Sequence, residues 1–185
     1  MDARQTALVA CLCMAASGLL PNLAWAQSGS KAPQDLAVNP IGKVMTVTGM
    51  AHIEHPATIL VQASLPANPD APTKVGDLVY RGDVIQTGVD GTIGIVFADG
   101  TSFNVSNNAK MEVNDFVYDP NGHSNSSLMS LTKGTFTFIA GNVAHTGDMK
   151  VDTPVGTMGI RGTAPRVEIL DDGTVKFSTL VEQKK

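Results

Sequence analysis

Four aspartates that fall close together, Asp77, Asp83, Asp90 and Asp99, could in principle pair as the acid and base of a glycosidase. Two carboxylates can act as general acid and base in glycoside hydrolysis, but only at a fixed separation in space, which chain spacing does not define. Of the four histidines, two form a compact cluster, His52-Ile53-Glu54-His55. On a strand, His52 and Glu54 share one face and His55 points away, so a metal held by all three requires a bend, which Pro56 could supply. A solvated strand face is the simpler reading. His123 sits in a polar loop and His145 in a glycine-flanked stretch, and neither has a partner nearby in sequence. Asp-Gly-Thr recurs at 90–92, 99–101 and 172–174. That spacing of oxygens is not the spacing of a calcium loop, and hairpin turns account for it better. The chain carries no serine nucleophile elbow, no phosphate-cradling glycine loop followed by lysine, and no zinc-spaced cysteines. These residues therefore read as a non-enzyme with no cofactor and no metal site.

The elements that would position these residues are strands. From Thr92 to Phe97 the apolar side chains Ile93, Ile95 and Phe97 share one face. Asp99-Gly100 follows as a two-residue hairpin signal in which both positions tolerate positive φ. In Thr101 to Val105, Phe103 and Val105 point inward while Ser102 and Asn104 point outward. A second hairpin runs from Arg166 to Leu170, turns at Asp171-Asp172-Gly173, and returns over Thr174 to Leu180, with Val175 and Phe177 alternating with polar neighbours. Further strands are expected at Gly42 to Val47, Ala51 to Ile53, Thr58 to Ala63, Val84 to Thr87, Met111 to Tyr118, Ser127 to Thr132, Gly134 to Ile139 and Met149 to Thr153. Leu65 to Thr73 holds three prolines and reads as an exposed loop, and Asn121 to Ser126 reads as a polar hairpin loop. Short strands at regular spacing predict an all-β fold of antiparallel strands, either a β-sandwich or a solenoid-like roll.

The first residues have a different character. Thr6 to Leu20 is almost wholly apolar, yet too short to cross a hydrocarbon core of roughly 30 Å comfortably. Pro21 and Asn22 end it, and Ala24-Trp25-Ala26 places small residues where a signal peptidase requires them. Residues 1–26 are thus expected to be a secretory signal helix, cut between Ala26 and Gln27. The rival is a lipobox at Leu8-Val9-Ala10-Cys11, which would leave only a few apolar residues ahead of its cut. Residues 27–40 read as a polar leader and 41–185 as one domain. Cleavage after Ala26 removes both cysteines, Cys11 and Cys13, and the only tryptophan. The mature domain then has no disulfide and is held by its core alone. A net charge of −4 without any basic run gives a phosphate backbone little to bind, so no nucleic acid is expected as partner. No second apolar segment of membrane length follows, so no membrane span is expected after cleavage.

From Gly76 to Thr163 the chain resembles the FecR domain family. The pieces stand in family order: Val75-Gly76-Asp77-Leu78-Val79, then Gly82-Asp83-Val84-Ile85-Gln86-Thr87-Gly88, then Phe97-Ala98-Asp99-Gly100-Thr101 and Val105-Ser106-Asn107-Asn108-Ala109. Leu131-Thr132-Lys133-Gly134-Thr135-Phe136 resembles the family's strand–glycine–strand segment. The run Val151 to Thr163 resembles its closing threonine-proline to arginine-glycine-threonine signature, here Thr153, Pro154, Arg161, Gly162 and Thr163. Gly82-Asp83 and Gly88 permit tight turns beside short strands. Gly156, Gly159 and Gly162, at every third residue, would let a strand bend or a second backbone pack closely. Arg161 stands among apolar neighbours and would need a carboxylate, with Asp83 and Asp99 as candidates, or several carbonyls as partners; it is expected to be a structural lock or, alternatively, to touch a ligand.

The resemblance implies an extracytoplasmic domain of the kind found in sensor-regulators, which relay a signal from an outer-membrane transporter to a cytoplasmic sigma factor. The cytoplasmic segment of those regulators has no counterpart in this sequence, and the apolar segment looks cleavable. The expectation is therefore a periplasmic or secreted binding or envelope-signalling module, with an envelope protein or a surface polysaccharide as partner. The alternative is a surface or adhesin-like structural module, or a fragment of a longer exported protein.

Overall fold

The computed structural model describes residues 39–62, 71–162 and 165–179. The expected cleavage residues Ala24, Ala26 and Gln27, the leader 27–38, most of the proline-containing loop and Thr163 lie outside the described residues. Twelve strands and two short helices follow in the order β1 (Gly42–Thr48), β2 (Ala51–Glu54), α1 (Ala57–Gln62), β3 (Leu78–Val79), β4 (Val84–Thr87), β5 (Thr92–Phe97), β6 (Ser102–Val105), β7 (Lys110–Val117), β8 (Asn125–Ile139), α2 (Val143–Thr146), β9 (Gly147–Thr153), β10 (Gly156–Ile160), β11 (Pro165–Ile169) and β12 (Val175–Thr179). The all-β expectation holds. The strands form one sheet, ordered β2-β4-β7-β8-β6-β5-β1-β3, which curls into a nearly closed barrel.

The strand β8 organises this sheet. Its first half pairs with β7 on one side and β9 on the other, and its second half pairs with β6 and β11. The sequence reads two strands here, Ser127 to Thr132 and Gly134 to Ile139, and the structure shows one strand of 15 residues. The inward residues are Ser127, Met129 and Leu131 in the first half, but Phe136 and Phe138 in the second. The odd–even phase therefore reverses midway, which splits the alternation in two. A register shift against β7 and Gly134, at φ +101°, accommodate the reversal. A side-chain carbon on Gly134 would lie 2.3 Å from Cβ of Ala109, so the bend also needs a residue without one.

A second bulge, between Val113 and Asp115, flips β7 in the same way. Met111 and Val113 face inward before it and Phe116 faces inward after it. Phe116 stacks on Phe97 with centroids 5.5 Å apart, Phe97 meets Phe103 edge-on at 5.8 Å, and Phe103 stacks on Phe138 at 4.6 Å. This aromatic chain joins β7, β5, β6 and β8 through the middle of the core.

Four further points differ from the expectation. Residues 57–62 are helix where a strand from Thr58 is predicted. Pro56 opens the helix, its carbonyl accepting from the N–H groups of Ile59 and Leu60, and its ring cannot supply a ladder donor. The four-residue α2 is too short to show a period, and it buries Val143 and Ala144. Residues 156–160 form a strand paired with β9, with Gly156 and Gly159 facing open space instead of a second backbone. Finally, β8 and β9 run parallel, which departs from a purely antiparallel arrangement. Gly147 permits their close start, since a side-chain carbon there would sit 1.8 Å from the Asn125 carbonyl oxygen.

Candidate functional site

The two Gly-Asp pairs build the same turn six residues apart. In the first, the Asp77 carboxylate accepts from the Lys74 N–H at 2.7 Å and the Asp77 N–H donates to the Lys74 carbonyl at 3.2 Å. In the second, the Asp83 carboxylate accepts from the Tyr80 N–H at 2.8 Å and its N–H donates to the Tyr80 carbonyl at 3.2 Å. Gly76 and Gly82 occupy the third turn position at φ +101° and +86°, which glycine adopts without a Cβ clash. The turns differ in depth. Asp77 is exposed, whereas Asp83 is fully buried and its second oxygen accepts from Nδ1 of His55 at 2.8 Å. Burial pushes the Asp83 carboxyl above the usual aspartate range, and its bonds to His55 and the Tyr80 N–H oppose that push. His55 also meets the Tyr80 ring edge-on at 5.6 Å.

The Asp-Gly-Thr repeats at 99–101 and 172–174 are likewise one turn used twice. Gly100 and Gly173, at φ +86° and +82°, donate to the carbonyls of Phe97 and Leu170, and each threonine N–H donates to the aspartate two residues earlier. Positive φ falls on the glycine alone, so this is a type I turn closed by a glycine bulge and not the two-residue turn expected at Asp99-Gly100. Asp172 remains on the surface, while Asp99 is buried. Its Oδ2 accepts from the Thr101 hydroxyl at 2.6 Å and from the Val143 N–H at 3.1 Å. The Thr101 hydroxyl in turn accepts from the Gly141 N–H at 3.0 Å. Asp99 and Thr101 thereby fasten α2 over the core. Thr87 plays a similar part, its hydroxyl donating to the Ser106 carbonyl at 2.6 Å and accepting from the Ala109 N–H at 2.9 Å.

In the closing signature, the Thr153 hydroxyl donates to the Gly156 carbonyl at 2.8 Å across the β9–β10 turn, with Pro154 exposed at its tip. Arg161 is exposed and pairs with neither Asp83 nor Asp99. Those carboxylates are engaged elsewhere, and Arg161 stands just beyond edge strand β10, so its apolar sequence neighbours do not enclose it. It lines instead an open cleft of about 550 Å³ with His123 and His145. Gly162 turns at φ +60° against His145, where a side-chain carbon would approach Cε1 to 3.1 Å.

A family model described as FecR protein matches residues 83–181, more than half of the chain. This chain belongs to the FecR family. The match runs from the Asp83 turn through β12 and so takes in the bent strand, both Asp-Gly-Thr hairpins and the closing signature. The family comprises envelope signalling and regulatory domains of periplasmic type. No curated protein and no solved structure matches the chain.

Within the FecR domain most of the motif residues are joints of the barrel. Asp83 and Asp99, two of the four aspartates that could have paired as glycosidase acid and base, are sealed from solvent and committed to internal donors. His52 faces the Ala71 carbonyl at 3.3 Å while His55 serves Asp83, so the compact histidine cluster is divided between two neighbours. His55 is thus a buried carboxylate's partner and not part of a solvated strand face. Among the described residues no three metal-binding side chains gather, and no helix is long and apolar enough to cross a membrane. The grouping that sequence reading missed is His123, His145 and Arg161. They lie far apart along the chain: the parallel β8–β9 pairing brings the segments of His123 and His145 together, and the antiparallel β9–β10 pairing, with Ile160 opposite Met149, returns Arg161 to the same end of the barrel.

Proposed function

We propose that this FecR domain is a non-enzymatic binding or signalling module of the extracytoplasmic cell envelope, whose partner is an envelope protein or a surface polysaccharide. The observation that carries the reading is the family match over residues 83–181, which spans β4 to β12. The use of the motif aspartates as internal fasteners supports it, because it leaves the exposed strands, turns and the cleft as the surfaces for contact. Export supports it from the sequence side, through the apolar segment and the Ala24-Trp25-Ala26 site ahead of the domain. The test is affinity capture, with the tagged protein incubated in envelope extract and washed at moderate salt. Specific retention of one protein or polymer, lost on heat denaturation of the bait, is expected. Retention of nothing, or turnover of a glycan panel by the purified domain, would overturn the reading.

A further inference from the structure

The cleft at the head of the β8–β9 pair has a floor and a rim with opposite hydrogen-bonding demands. The floor is a closed network around Asn125, which is 3% exposed. Its side-chain NH2 donates one proton to the Thr146 hydroxyl at 2.7 Å and shares the other between the Asp119 carbonyl at 3.2 Å and the Gly122 carbonyl at 3.4 Å, while its Oδ1 accepts from the Asp119 N–H at 2.7 Å. The Thr146 hydroxyl passes its own proton to the Asn142 carbonyl at 2.8 Å. This network ties the 119–125 loop to the end of α2, so the cleft is fixed before any ligand arrives.

The rim has donors in excess. Arg161, His123 and His145 are exposed and reach it from three separate segments, and Arg161 forms no ion pair among the described residues. A guanidinium has five N–H donors and no acceptor, and its planar fork fits an oxyanion in two-point contact. The one carboxylate on the rim, Asp148, faces Lys150 Nζ at 3.3 Å and so has a cation of its own. A ligand that satisfies this rim must therefore bring acceptors and negative charge. The volume, about 550 Å³, exceeds what a lone ion needs, and the remaining lining of hydroxyls such as Ser126 suits a molecule bearing many hydroxyls.

We infer that this cleft binds an acidic saccharide, with a carboxylate seated on Arg161 and sugar hydroxyls on the imidazoles and serines. The inference rests on the reading of the domain as an envelope binding module and deepens it by naming the ligand class.

The experiment titrates the full chain by calorimetry with trigalacturonate, neutral maltotriose and inorganic phosphate. Trigalacturonate binds, its affinity falls as salt rises, and R161Q weakens it about tenfold or more while retaining the wild-type melting temperature. H145Q weakens it as well, and R81Q, altered at an exposed arginine that faces Asp115, leaves it unchanged. Equal binding of maltotriose overturns the inference, as does binding of phosphate alone, or an undiminished affinity in R161Q. Affinity capture separates this result from the broader proposal. If an envelope protein is retained and trigalacturonate is not bound, the cleft assignment fails and the module reading stands. If trigalacturonate binds through Arg161 and the envelope extract yields nothing, the assignment stands and the envelope reading fails.

Discussion

Asp83 is the residue on which two opposing effects can be weighed. Burial disfavours its charge, and three donated or coulombic contacts from His55 and Tyr80 favour it; burial is the larger effect, so the carboxyl titrates above its usual 3.8. A folded-state value above the unfolded one means that the folded protein holds this proton more tightly. The associated stability is fully present below pH 3.8 and is lost as pH rises through the raised value. Replacing Asp83 with Asn keeps an acceptor for the Tyr80 N–H and removes the titration. Urea midpoints of wild type measured against D83N should therefore fall as pH is raised from below 3.8 towards neutrality, and parallel curves would refute the assignment. D83A strands the Tyr80 N–H and the His55 ring, and should cost about 1–3 kcal/mol, several degrees of melting temperature for a domain of this size. The turn itself is legible in the sequence, since Gly82-Asp83 permits positive φ beside a short strand, but the capping role of the carboxylate is not, and the sequence offers Asp83 to Arg161 instead. Nor is the partner, because His55 lies 28 residues away and reads as part of a metal-like cluster. Arg161 fails for the opposite reason. Its apolar neighbours suggest enclosure, but a side chain just past an edge strand stays in solvent whatever flanks it.

At the scale of elements, alternation reveals a strand wherever its phase is constant. Strands β5 and β6 show this, with Ile93, Ile95, Phe97, Phe103 and Val105 all buried as the pattern requires. It misleads where the phase changes, and β8 is the clearest case, because one strand that serves two parts of the sheet must turn its inward face over at the crossing. Gly134 bears that crossing, and its replacement tests the account. G134A combines a side chain at φ +101° with a carbon 2.3 Å from Ala109 Cβ. The conformational cost is about 1–2 kcal/mol and the overpacking about 1–3 kcal/mol, so a total near 2–5 kcal/mol is expected as a lower urea midpoint at unchanged slope. G159A is the control, since a carbon there meets nothing within 4 Å, and it should stay within roughly 0.5 kcal/mol of wild type. A mild G134A would mean that β8 bends by other means. Helix α1 escaped the pattern because Ile59, Leu60 and Val61 resemble a strand core, and only Pro56 betrays the start of a helix.

At the scale of the whole molecule the questions are how a domain of periplasmic type is held together and how the proposed export would be detected. Its described core is a single apolar cluster that joins both halves of the barrel, from Val44 on β1 to Ile169 on β11, through the phenylalanine stack. The sequence places Cys11, Cys13 and Trp25 ahead of the proposed cut after Ala26, so export would remove every sulfhydryl and the only indole. What remains to emit is Tyr80, 4% exposed against His55, and Tyr118, whose hydroxyl accepts from the Asn142 side chain at 3.2 Å near α2. These two sites report on different parts of the fold, one beside the Asp83 turn and one beside the helix that Asp99 fastens. Protein recovered from outside the cytoplasm should therefore begin at Gln27, show tyrosine emission only, and melt at the same temperature with and without reductant. Both tyrosines should change emission in one cooperative step on unfolding, because a single core underlies both neighbourhoods. Tryptophan emission from that fraction would mean that residues 1–26 stay attached, and an N-terminus at Cys11 would mean lipidation at the rival site. Either result would move the domain from free in its compartment to tethered at a membrane, and would change which envelope components the cleft beside Arg161 can reach.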